Sequence, residues 1–327
     1  MNSQRAKILV IRGGAIGDFI LTLPAMAALR RQFPEAHLEV LGYPHIVQLA
    51  IAGGVVDQAS SIEARALAGF FARNGQLDED WVDYFSEFDL IVSYLYDPDE
   101  IFRTNIGRCS LAQFIAGPHR PSDSSQVHAT KVYLQPLERL AIFDADHVPR
   151  LYVGGDRETS APGKGDLTPA GPNQDPKAPL RLALHPGSGS DHKNWPEQRW
   201  AELVQMLINS TPFSLLLVGG EAEGERLQRL AAALPPGRTK VAQSLPLAEL
   251  ARILSRCGGF IGHDSGISHL AAALGLPTLV LWGETAEAIW RPPGESVKIL
   301  RSTAGLESLA VETVFKQLRT MWPAGPC

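Results

Sequence analysis

The sequence predicts an α/β protein with two Rossmann-like domains, each built on a doubly wound parallel sheet. Three observations support this fold class. The length of 327 residues suits two domains of ordinary size. Short β-branched runs alternate with helical patterns twice along the chain. A stretch dominated by Gly, Pro, Asp, Ser and Thr separates the two series and predicts a linker at 156–179.

The predicted domains follow from that linker. Residues 1–155 form the first domain and residues 180–305 the second. A last helical pattern lies in 306–327, and packing back on the N-terminal domain is one option for it.

The first series begins with KILVIR, a run typical of a buried parallel strand. A glycine turn and a helix follow it. The predicted order is strand Lys7–Arg12, helix Phe19–Gln32, strand Leu38–Tyr43, helix His45–Ala52, strand Asp89–Tyr96 and helix Leu134–Phe143.

The second series repeats the alternation after the linker. It comprises strand Leu180–His185, helix Pro196–Ile208, strand Ser214–Gly219, helix Glu221–Leu234, helix Pro246–Ser255, strand Gly259–Gly262, helix Ile267–Leu274, strand Thr278–Trp282 and a last helix at Leu306–Met321.

Composition excludes several classes of protein. Hydrophobic residues make up 45% and charged residues 20%, which is typical of a globular chain and not of a disordered or collagen-like one. The net charge of -5 gives nucleic-acid binding little support. The three cysteines are far apart, which fits neither a disulfide framework nor a zinc site and suggests a reducing compartment. Neither a spanning helix nor a signal peptide is predicted, so we expect a cytoplasmic protein.

The turn after the first strand reads Gly13-Gly-Ala-Ile-Gly-Asp18. It resembles a dinucleotide fingerprint, but Arg12 stands where the first glycine belongs, which weakens an NAD-binding interpretation. Asp18 has two interpretations. It is either a carboxylate favoured by the start of a helix or a general base at the carboxyl end of a strand.

Two turns in the second series are suited to anions. The first, His185-Pro-Gly-Ser-Gly-Ser-Asp-His-Lys-Asn-Trp-Pro196, combines small residues with the hydroxyl of Ser188 and the charge of Lys193. The second places Asp264, Ser265 and Gly266 at a helix entrance. A solvated loop and a helix cap are the structural alternatives. No GxxxxGK[ST] motif occurs, which disfavours a P-loop NTPase.

Three blocks of the chain resemble glycosyltransferase family 9, the bacterial ADP-heptose:lipopolysaccharide heptosyltransferases. They are GGAIGDFILTLPAMAALRRQFP (Gly13–Pro34), HPGSGSDHKNWPEQRWAEL (His185–Leu203) and GHDSGISHLAAALGLPTLVLWGET (Gly262–Thr285). VYLQPLERLAI (Val132–Ile142) extends the similarity. The resemblance implies a GT-B fold, with two Rossmann-like domains facing a central cleft, the acceptor on the N-terminal domain and the sugar nucleotide on the C-terminal domain. It also implies inverting transfer without a metal.

The resemblance assigns roles to individual residues. Asp18 matches the catalytic base of the family and Lys193 the lysine at the donor phosphates. The other donor-binding residues that the resemblance implies are Glu221 at the ribose hydroxyls, Asp264, Ser265, Gly266 and His269, and the chemistry of the first turn adds Ser188.

A locally basic stretch in the first domain is a candidate for binding acceptor phosphates. The acceptor-side candidates are Gly14, Arg103, Arg108, Arg120 and His128. A set of solvated surface charges is the structural alternative.

The function predicted from these residues is transfer of heptose from ADP-heptose to a hydroxyl of a lipopolysaccharide core or related saccharide. No cofactor and no metal are expected, and the expected location includes the inner face of the inner membrane. Three alternatives stay open. A metal-dependent glycosyltransferase would use an Asp-x-Asp pair such as Asp97 and Asp99. The others are a nucleotide-sugar epimerase and a non-catalytic sugar-nucleotide binder.

Overall fold

The computed structural model describes residues 5–153, 180–190, 193–221 and 223–323. They form two compact α/β units, and each unit contains one sheet whose strands all run parallel. The two-domain parallel architecture predicted from the sequence is therefore confirmed. The predicted linker, 156–179, lies outside the described residues, and the predicted domain bounds stay predictions.

The N-terminal domain has a five-stranded sheet with the order β3-β2-β1-β4-β5. The domain also contains two short 3-10 helices, Arg65–Phe71 and Gln135–Leu140. Its other elements are β1 (Lys7–Arg12), α1 (Ile16–Gln32), β2 (His37–Gly42), α2 (Pro44–Ala52), β3 (Gln58–Ser61), α3 (Glu79–Ser86), β4 (Leu90–Ser93), α4 (Ile101–Ile106), β5 (Gln113–Ala116) and α5 (Ala129–Leu134).

Strand β1 lies in the centre of this sheet because its apolar run fits a position covered on both faces. Its residues from Ile8 to Ile11 are buried, and Ile8 pairs with Leu38 of β2 on one side and with Leu90 of β4 on the other. Helix α1 is buried along most of its length, since it packs against both α2 and α5. The turn between β1 and α1 is thus held by the most buried elements of the domain.

The C-terminal domain has a six-stranded sheet with the order β11-β10-β9-β6-β7-β8. A 3-10 turn at Leu306–Ser308 precedes its last helix. Its elements are β6 (Arg181–His185), α6 (Glu197–Ser210), β7 (Ser214–Gly219), α7 (Gly224–Ala232), β8 (Thr239–Gln243), α8 (Leu247–Leu254), β9 (Gly259–His263), α9 (Gly266–Ala273), β10 (Thr278–Trp282), α10 (Glu287–Trp290), β11 (Val297–Arg301) and α11 (Val311–Met321).

Helix α11 closes the core of the C-terminal domain. Its apolar face, Val311, Val314 and Leu318, is buried in one cluster with residues of β6, α6 and β7, and the helix packs directly against α6. The apolar face of the last helix thus belongs to the core of its own domain, while packing of this segment on the N-terminal domain stays a prediction.

Several elements differ from the sequence prediction. The strands β3, β5, β8 and β11 were not predicted, and all four lie at or next to sheet edges, where short and partly polar segments suffice. The segment predicted as a helix at 134–143 contains a 3-10 helix, Gln135–Leu140, instead of a regular α-helix. Helix α5 instead spans residues 129–134, where the Nδ1 of His128 accepts the Thr130 N–H at its start, and Pro136 supplies no N–H to continue a regular helix.

Candidate functional site

Both sheets have a topological switch point, where the chain leaves two neighbouring strands in opposite directions. In the N-terminal domain it lies between β1 and β4, and in the C-terminal domain between β6 and β9. Open parallel sheets bind ligands at the carboxyl ends of the strands beside such points. Asp18 follows β1, and Lys193 and Asp264 follow β6 and β9, so the predicted site residues lie at these two places.

Asp18 is fixed in position at the start of α1. Its Oδ2 accepts a hydrogen bond from the backbone N–H of Ala15 at 3.1 Å, and its Oδ1 lies 3.6 Å from Nη2 of Arg12. The side chain is 30% exposed, so a ligand can reach the carboxylate. The Asp18 carboxylate thus stabilises the first turn of α1 and is still accessible, while its role as a general base stays a prediction.

Gly14 makes room for this carboxylate. Its φ of +96° is a conformation that favours glycine. A Cβ at this position would lie 3.0 Å from Oδ2 of Asp18. The structure thus places this acceptor-side candidate directly against the predicted base, where a larger residue would displace it.

Arg12 is a site residue that the sequence prediction missed. Its side chain is only 2% exposed, and Nη1 donates a hydrogen bond to the carbonyl of His119 at 2.8 Å. Its guanidinium carbon lies 4.6 Å from the ring centroid of Tyr133, a cation–π contact. The buried positive charge of Arg12 therefore holds the Asp18 carboxylate in position. The sequence offered one sign of this role, which is an arginine at the end of an otherwise apolar strand, but it was interpreted only as an argument against NAD binding.

The aromatic residues around Arg12 stay neutral. Burial raises the pKa of Tyr94 and of Tyr133, and the nearby Arg12 charge offsets only part of that effect. The hydroxyl of Tyr94 donates a hydrogen bond to the carbonyl of Tyr133 at 2.6 Å. The guanidinium is thus enclosed by uncharged groups on this side, and the carboxylate that it faces is Asp18.

In the C-terminal domain, Lys193 and Asp264 form an ion pair. Nζ of Lys193 lies 2.7 Å from Oδ2 of Asp264 and donates a hydrogen bond to it. The lysine side chain is 40% exposed, whereas the aspartate is 9% exposed. The buried carboxylate therefore holds an accessible ammonium at the switch point, next to the first turn of α9.

His263 ties the loop after β6 to the end of β9. Its Nε2 accepts the backbone N–H of Trp195 at 2.9 Å, and its Nδ1 lies 3.2 Å from the carbonyl of Gly187, which it can only approach as a donor. Burial lowers the pKa of His263 to about 3, so the ring is neutral at neutral pH. One neutral imidazole thus fixes both ends of the loop that carries Lys193.

The start of α9 is organised by serine side chains. Ser265 caps the helix by accepting the N–H of Ser268 at 3.4 Å, and its hydroxyl lies 3.3 Å from Nδ1 of His185. Burial lowers the pKa of His185 to about 4. The N–H groups of the first helical turn, beginning at Gly266, point out of the helix entrance and suit an anion. His269, one turn further along, is buried.

The remaining donor-side predictions lie on exposed loop segments. The Ser188 hydroxyl donates to the carbonyl of Ser190 at 2.7 Å, which shapes the loop, and the residue is partly exposed. Glu221, after β7, is exposed. Glu223, which the prediction missed, accepts the N–H of Gly220 at 2.9 Å and packs so closely on Gly187 that a Cβ there would overlap it. The donor-binding roles of these residues stay predictions.

The basic acceptor-side candidates make local contacts. Arg103 pairs with Glu100 at 2.9 Å and Arg120 with Asp123 at 3.1 Å. Arg108 donates to the carbonyl of Gly75 and to Asn105 Oδ1, both at 2.9 Å. Together with the cap that His128 provides for α5, these contacts stabilise loops and helix ends. They favour the interpretation of these residues as surface charges with local structural roles. Binding of an acceptor by any of them stays a prediction.

The Asp-x-Asp candidate is engaged in capping. Oδ1 and Oδ2 of Asp97 accept the N–H groups of Phe102 and Arg103 at 3.1 and 3.0 Å. Asp99 lies 3.9 Å from the guanidinium of Arg73. Across the described ranges, no cluster of three or more His, Cys, Asp or Glu side chains is arranged to hold a metal ion.

In the same part of the chain, no helix combines the length and the apolar character that a membrane span requires.

Residues 158–318, which include the Lys193–Asp264 pair, match the model of glycosyltransferase family 9 (heptosyltransferase). This part of the chain is therefore a glycosyltransferase family 9 domain. Lipopolysaccharide heptosyltransferase 1 of Pseudomonas aeruginosa is 40% identical over 111 residues, and that of Escherichia coli K12 is 33% identical over 130 residues.

The alignments with these two family members are partial. They cover 34% and 37% of this chain, and they span only 30% and 40% of the relatives' own lengths. A longer alignment exists with lipopolysaccharide heptosyltransferase 3 of Escherichia coli, at 22% identity over 84% of this chain and 83% of the relative.

Solved structures of the family share the fold along the whole chain. A family 9 glycosyltransferase from Veillonella parvula superimposes with a TM-score of 0.75 at 18% identity, covering 98% of both chains. The ADP-heptose lipopolysaccharide heptosyltransferase II of Escherichia coli gives a TM-score of 0.74 at 17% identity, covering 96% of this chain and 98% of that one. The heptosyltransferase WaaC of Escherichia coli with ADP-2-deoxy-2-fluoro heptose gives 0.68 at 20% identity, covering 96% and 99%. The GT-B class expected from the resemblance is confirmed in its two parallel-sheet domains.

Proposed function

We propose that this chain is an inverting, metal-independent glycosyltransferase that moves heptose from ADP-heptose to a hydroxyl of a lipopolysaccharide core saccharide. The observation that carries the proposal is the Lys193–Asp264 pair, with an exposed ammonium 2.7 Å from a buried carboxylate at the switch point of a family 9 domain. The names of the relatives supply the substrate class, since they are lipopolysaccharide heptosyltransferases and one solved structure contains an ADP-heptose analogue.

Asp18 would act as the general base. An acceptor hydroxyl is a weak nucleophile until its proton is removed, and the accessible Asp18 carboxylate takes that proton as the oxygen attacks the anomeric carbon. The new glycosidic bond forms on the face opposite the diphosphate, and the bond from the anomeric carbon to the diphosphate oxygen breaks. One displacement of this kind inverts the configuration.

The C-terminal switch point would stabilise the leaving group. As the bond to the anomeric carbon breaks, negative charge grows on the diphosphate of the departing ADP. The Lys193 ammonium and the N–H groups at the start of α9 supply compensating positive charge where it develops. His263 keeps the loop in place for this step, because it binds the backbone on both sides of Lys193.

The alternatives from the sequence have less support. Family membership disfavours an epimerase, and the Asp97 carboxylate is already used to cap α4. We therefore expect transfer to survive treatment with EDTA. Inactivation by EDTA followed by rescue with Mg²⁺ would contradict this expectation and return attention to a metal-dependent mechanism.

The partners and location follow from the proposed reaction. The donor is ADP-heptose, and the acceptor is a saccharide or a lipid-linked saccharide. An acceptor of the second kind would be presented at the inner face of the inner membrane, so we propose that the enzyme works in the cytoplasm and meets its acceptor there.

The first test of the function is donor binding. Calorimetric titrations with ADP, UDP and GDP should show preferential binding of ADP to the wild-type chain, and Lys193→Ala should weaken it. Lys240→Ala, an exposed lysine on β8, is the matched control and should bind ADP normally. Release of ADP from ADP-heptose should then depend on an added saccharide acceptor. Preference for another nucleoside diphosphate, or turnover that needs no acceptor, would contradict the proposal.

A further inference from the structure

A depression of about 230 Å³ opens at the carboxyl ends of β4 and β5, on the N-terminal domain. Its lining includes the aromatic side chains Tyr96 and His119, two prolines, and the charged pair Glu100 and Arg103. Arg103 and His119 belong to the locally basic stretch that the sequence offers for acceptor phosphates, yet the rest of the lining is aromatic, apolar or acidic.

Its most conspicuous feature is an exposed aromatic corner. The Tyr96 side chain is 72% exposed, although tyrosine usually covers part of its ring. The ring meets that of His119 at a centroid distance of 4.6 Å and an angle of 62°. Aromatic faces attract C–H groups that carry partial positive charge, and the face of a pyranose ring presents several such groups. The corner is thus suited to stacking against a sugar ring.

The depression is lined by one cationic side chain, Arg103, and two carboxylates, Asp97 and Glu100. Arg103 lies 2.9 Å from Glu100, and both oxygens of Asp97 accept backbone N–H groups. A phosphate would have to compete with Glu100 for the arginine and would meet the carboxylate of Asp97 as well. Hydroxyl groups meet no such penalty, because the Arg103–Glu100 pair offers them both donors and acceptors.

The depression is also connected to the predicted base. Nη1 of Arg12 donates to the carbonyl of His119 at 2.8 Å, and Nη2 of the same guanidinium lies 3.6 Å from Oδ1 of Asp18. One buried side chain therefore fixes a residue of the depression and the carboxylate of Asp18 at the same time. A ring bound in the depression would therefore contact a residue, His119, whose backbone is held by the same guanidinium that faces the predicted base.

We propose that this depression is the subsite for an uncharged pyranose ring of the acceptor. Tyr96 and His119 stack against the ring, and Glu100 and Arg103 bind its hydroxyls. The inference rests on the proposed function and deepens it by naming the acceptor moiety as a neutral sugar ring instead of a phosphorylated one.

Saturation-transfer NMR without donor tests the subsite. The probes are methyl α-D-mannopyranoside and mannose 6-phosphate, each at millimolar concentration with the full-length protein. We expect signal on the ring C–H protons of the neutral glycoside and no gain from the phosphate. Tyr96→Ala should lower its affinity by about 2- to 10-fold, the range typical of one aromatic contact. Tyr96→Phe should retain binding, because it keeps the ring.

The matched control is Phe143→Ala, since Phe143 is another exposed aromatic residue, at 69%, and does not line the depression. Absence of signal from the wild-type chain, equal signals from wild type and Tyr96→Ala, or binding that requires the phosphate would each overturn the inference. ADP titration of the same samples separates the two proposals. If ADP binds normally while the sugar test fails, only the subsite is wrong, whereas failure of ADP to bind the wild-type chain contradicts the proposed function.

Discussion

The two domains have the same order of strands around their switch points, yet the turns there carry opposite arrangements of charge. In the N-terminal domain an accessible carboxylate, Asp18, faces a buried guanidinium, Arg12, at 3.6 Å. In the C-terminal domain an accessible ammonium, Lys193, faces a buried carboxylate, Asp264, at 2.7 Å. In each case the buried partner fixes the exposed group in place.

This inversion separates what topology determines from what the turn sequence determines. The parallel sheet decides where a ligand binds, because it brings strand ends and helix starts together. The sign of the exposed charge decides what binds there, since an exposed anion accepts a proton and an exposed cation attracts a diphosphate. Substitutions on either side of the comparison should therefore affect different steps of the reaction.

The largest effect is expected from Asp18→Asn. The amide preserves the size of the side chain but cannot accept the proton, so transfer should fall by roughly 100-fold or more while ADP affinity is unchanged. Single-turnover transfer and ADP calorimetry measure the two quantities. Asp80→Asn, an exposed aspartate on α3, serves as the control. Near wild-type transfer by Asp18→Asn would remove Asp18 from the mechanism.

Lys193→Ala should affect both binding and chemistry. Loss of a charge-assisted contact, which also leaves Asp264 facing the diphosphate, should weaken ADP binding by about 10- to 100-fold and slow the chemical step as well. Lys193→Arg should recover only part of the loss, because a planar guanidinium does not replace a compact ammonium. Calorimetry with ADP and single-turnover transfer at matched ionic strength decide this. Unchanged behaviour of the alanine variant would leave the start of α9 as the only phosphate site.

Arg12→Lys should have a smaller effect that is confined to the acceptor side. Lysine keeps the positive charge. Its single ammonium group cannot replace the two guanidinium nitrogens that contact the His119 carbonyl and the Asp18 carboxylate at the same time. A displaced base should lower kcat by about tenfold without changing ADP affinity. The measurement is kcat beside an ADP titration, with folding checked by circular dichroism. Arg31→Lys, an exposed arginine on α1, is the control. If ADP affinity falls together with kcat, the two turns are not independent.

The smallest expected effect is on the pH dependence of the free energy of unfolding. His263 is neutral in the folded protein because burial lowers its pKa to about 3, whereas the unfolded chain takes up a proton below about pH 6.5. Stability should therefore fall as pH drops through this window, by up to about 1.4 kcal/mol per pH unit from this residue. In His263→Gln the free energy of unfolding should fall less steeply with decreasing pH, and the difference in slope should be that amount.

Urea unfolding at pH 7, 6 and 5 measures the slope. Glutamine can still accept the Trp195 N–H and donate to the Gly187 carbonyl, so the variant should fold. His45→Gln, which removes an exposed imidazole, is the matched control. An equal slope in His263→Gln and the wild-type chain would show that the ring does not stay neutral.

The central part of each sheet could be predicted from sequence, and the edges could not. Runs such as the apolar core of β1 are buried on both faces and need no other information. The segment Gln58–Ser61 of β3 becomes a strand only because β2 offers it a hydrogen-bonding edge. Such pairing depends on contacts distant in sequence, which no local pattern contains.

The same distinction applies to the site. Asp18, Lys193 and Asp264 were recognisable as polar residues in the turns that follow buried strands. The residues that hold them in position were not. The Arg12 side chain turns inward toward Tyr133, and Glu223 reaches the loop after β6. The direction of these side chains is set by tertiary packing, so the sequence indicated the accessible polar groups of the turns better than the residues that support them.

Helix α11 completes the core of the domain that also carries Lys193. Just before this helix, the carbonyl of Leu309 accepts hydrogen bonds from Trp195 Nε1 at 3.0 Å and from Arg199 at 2.7 Å. The loop that carries Lys193 is thus supported by residues from the end of the same continuous stretch of chain. A single crossover before β6 would therefore exchange this loop together with its supporting residues and leave the turn that carries Asp18 unchanged.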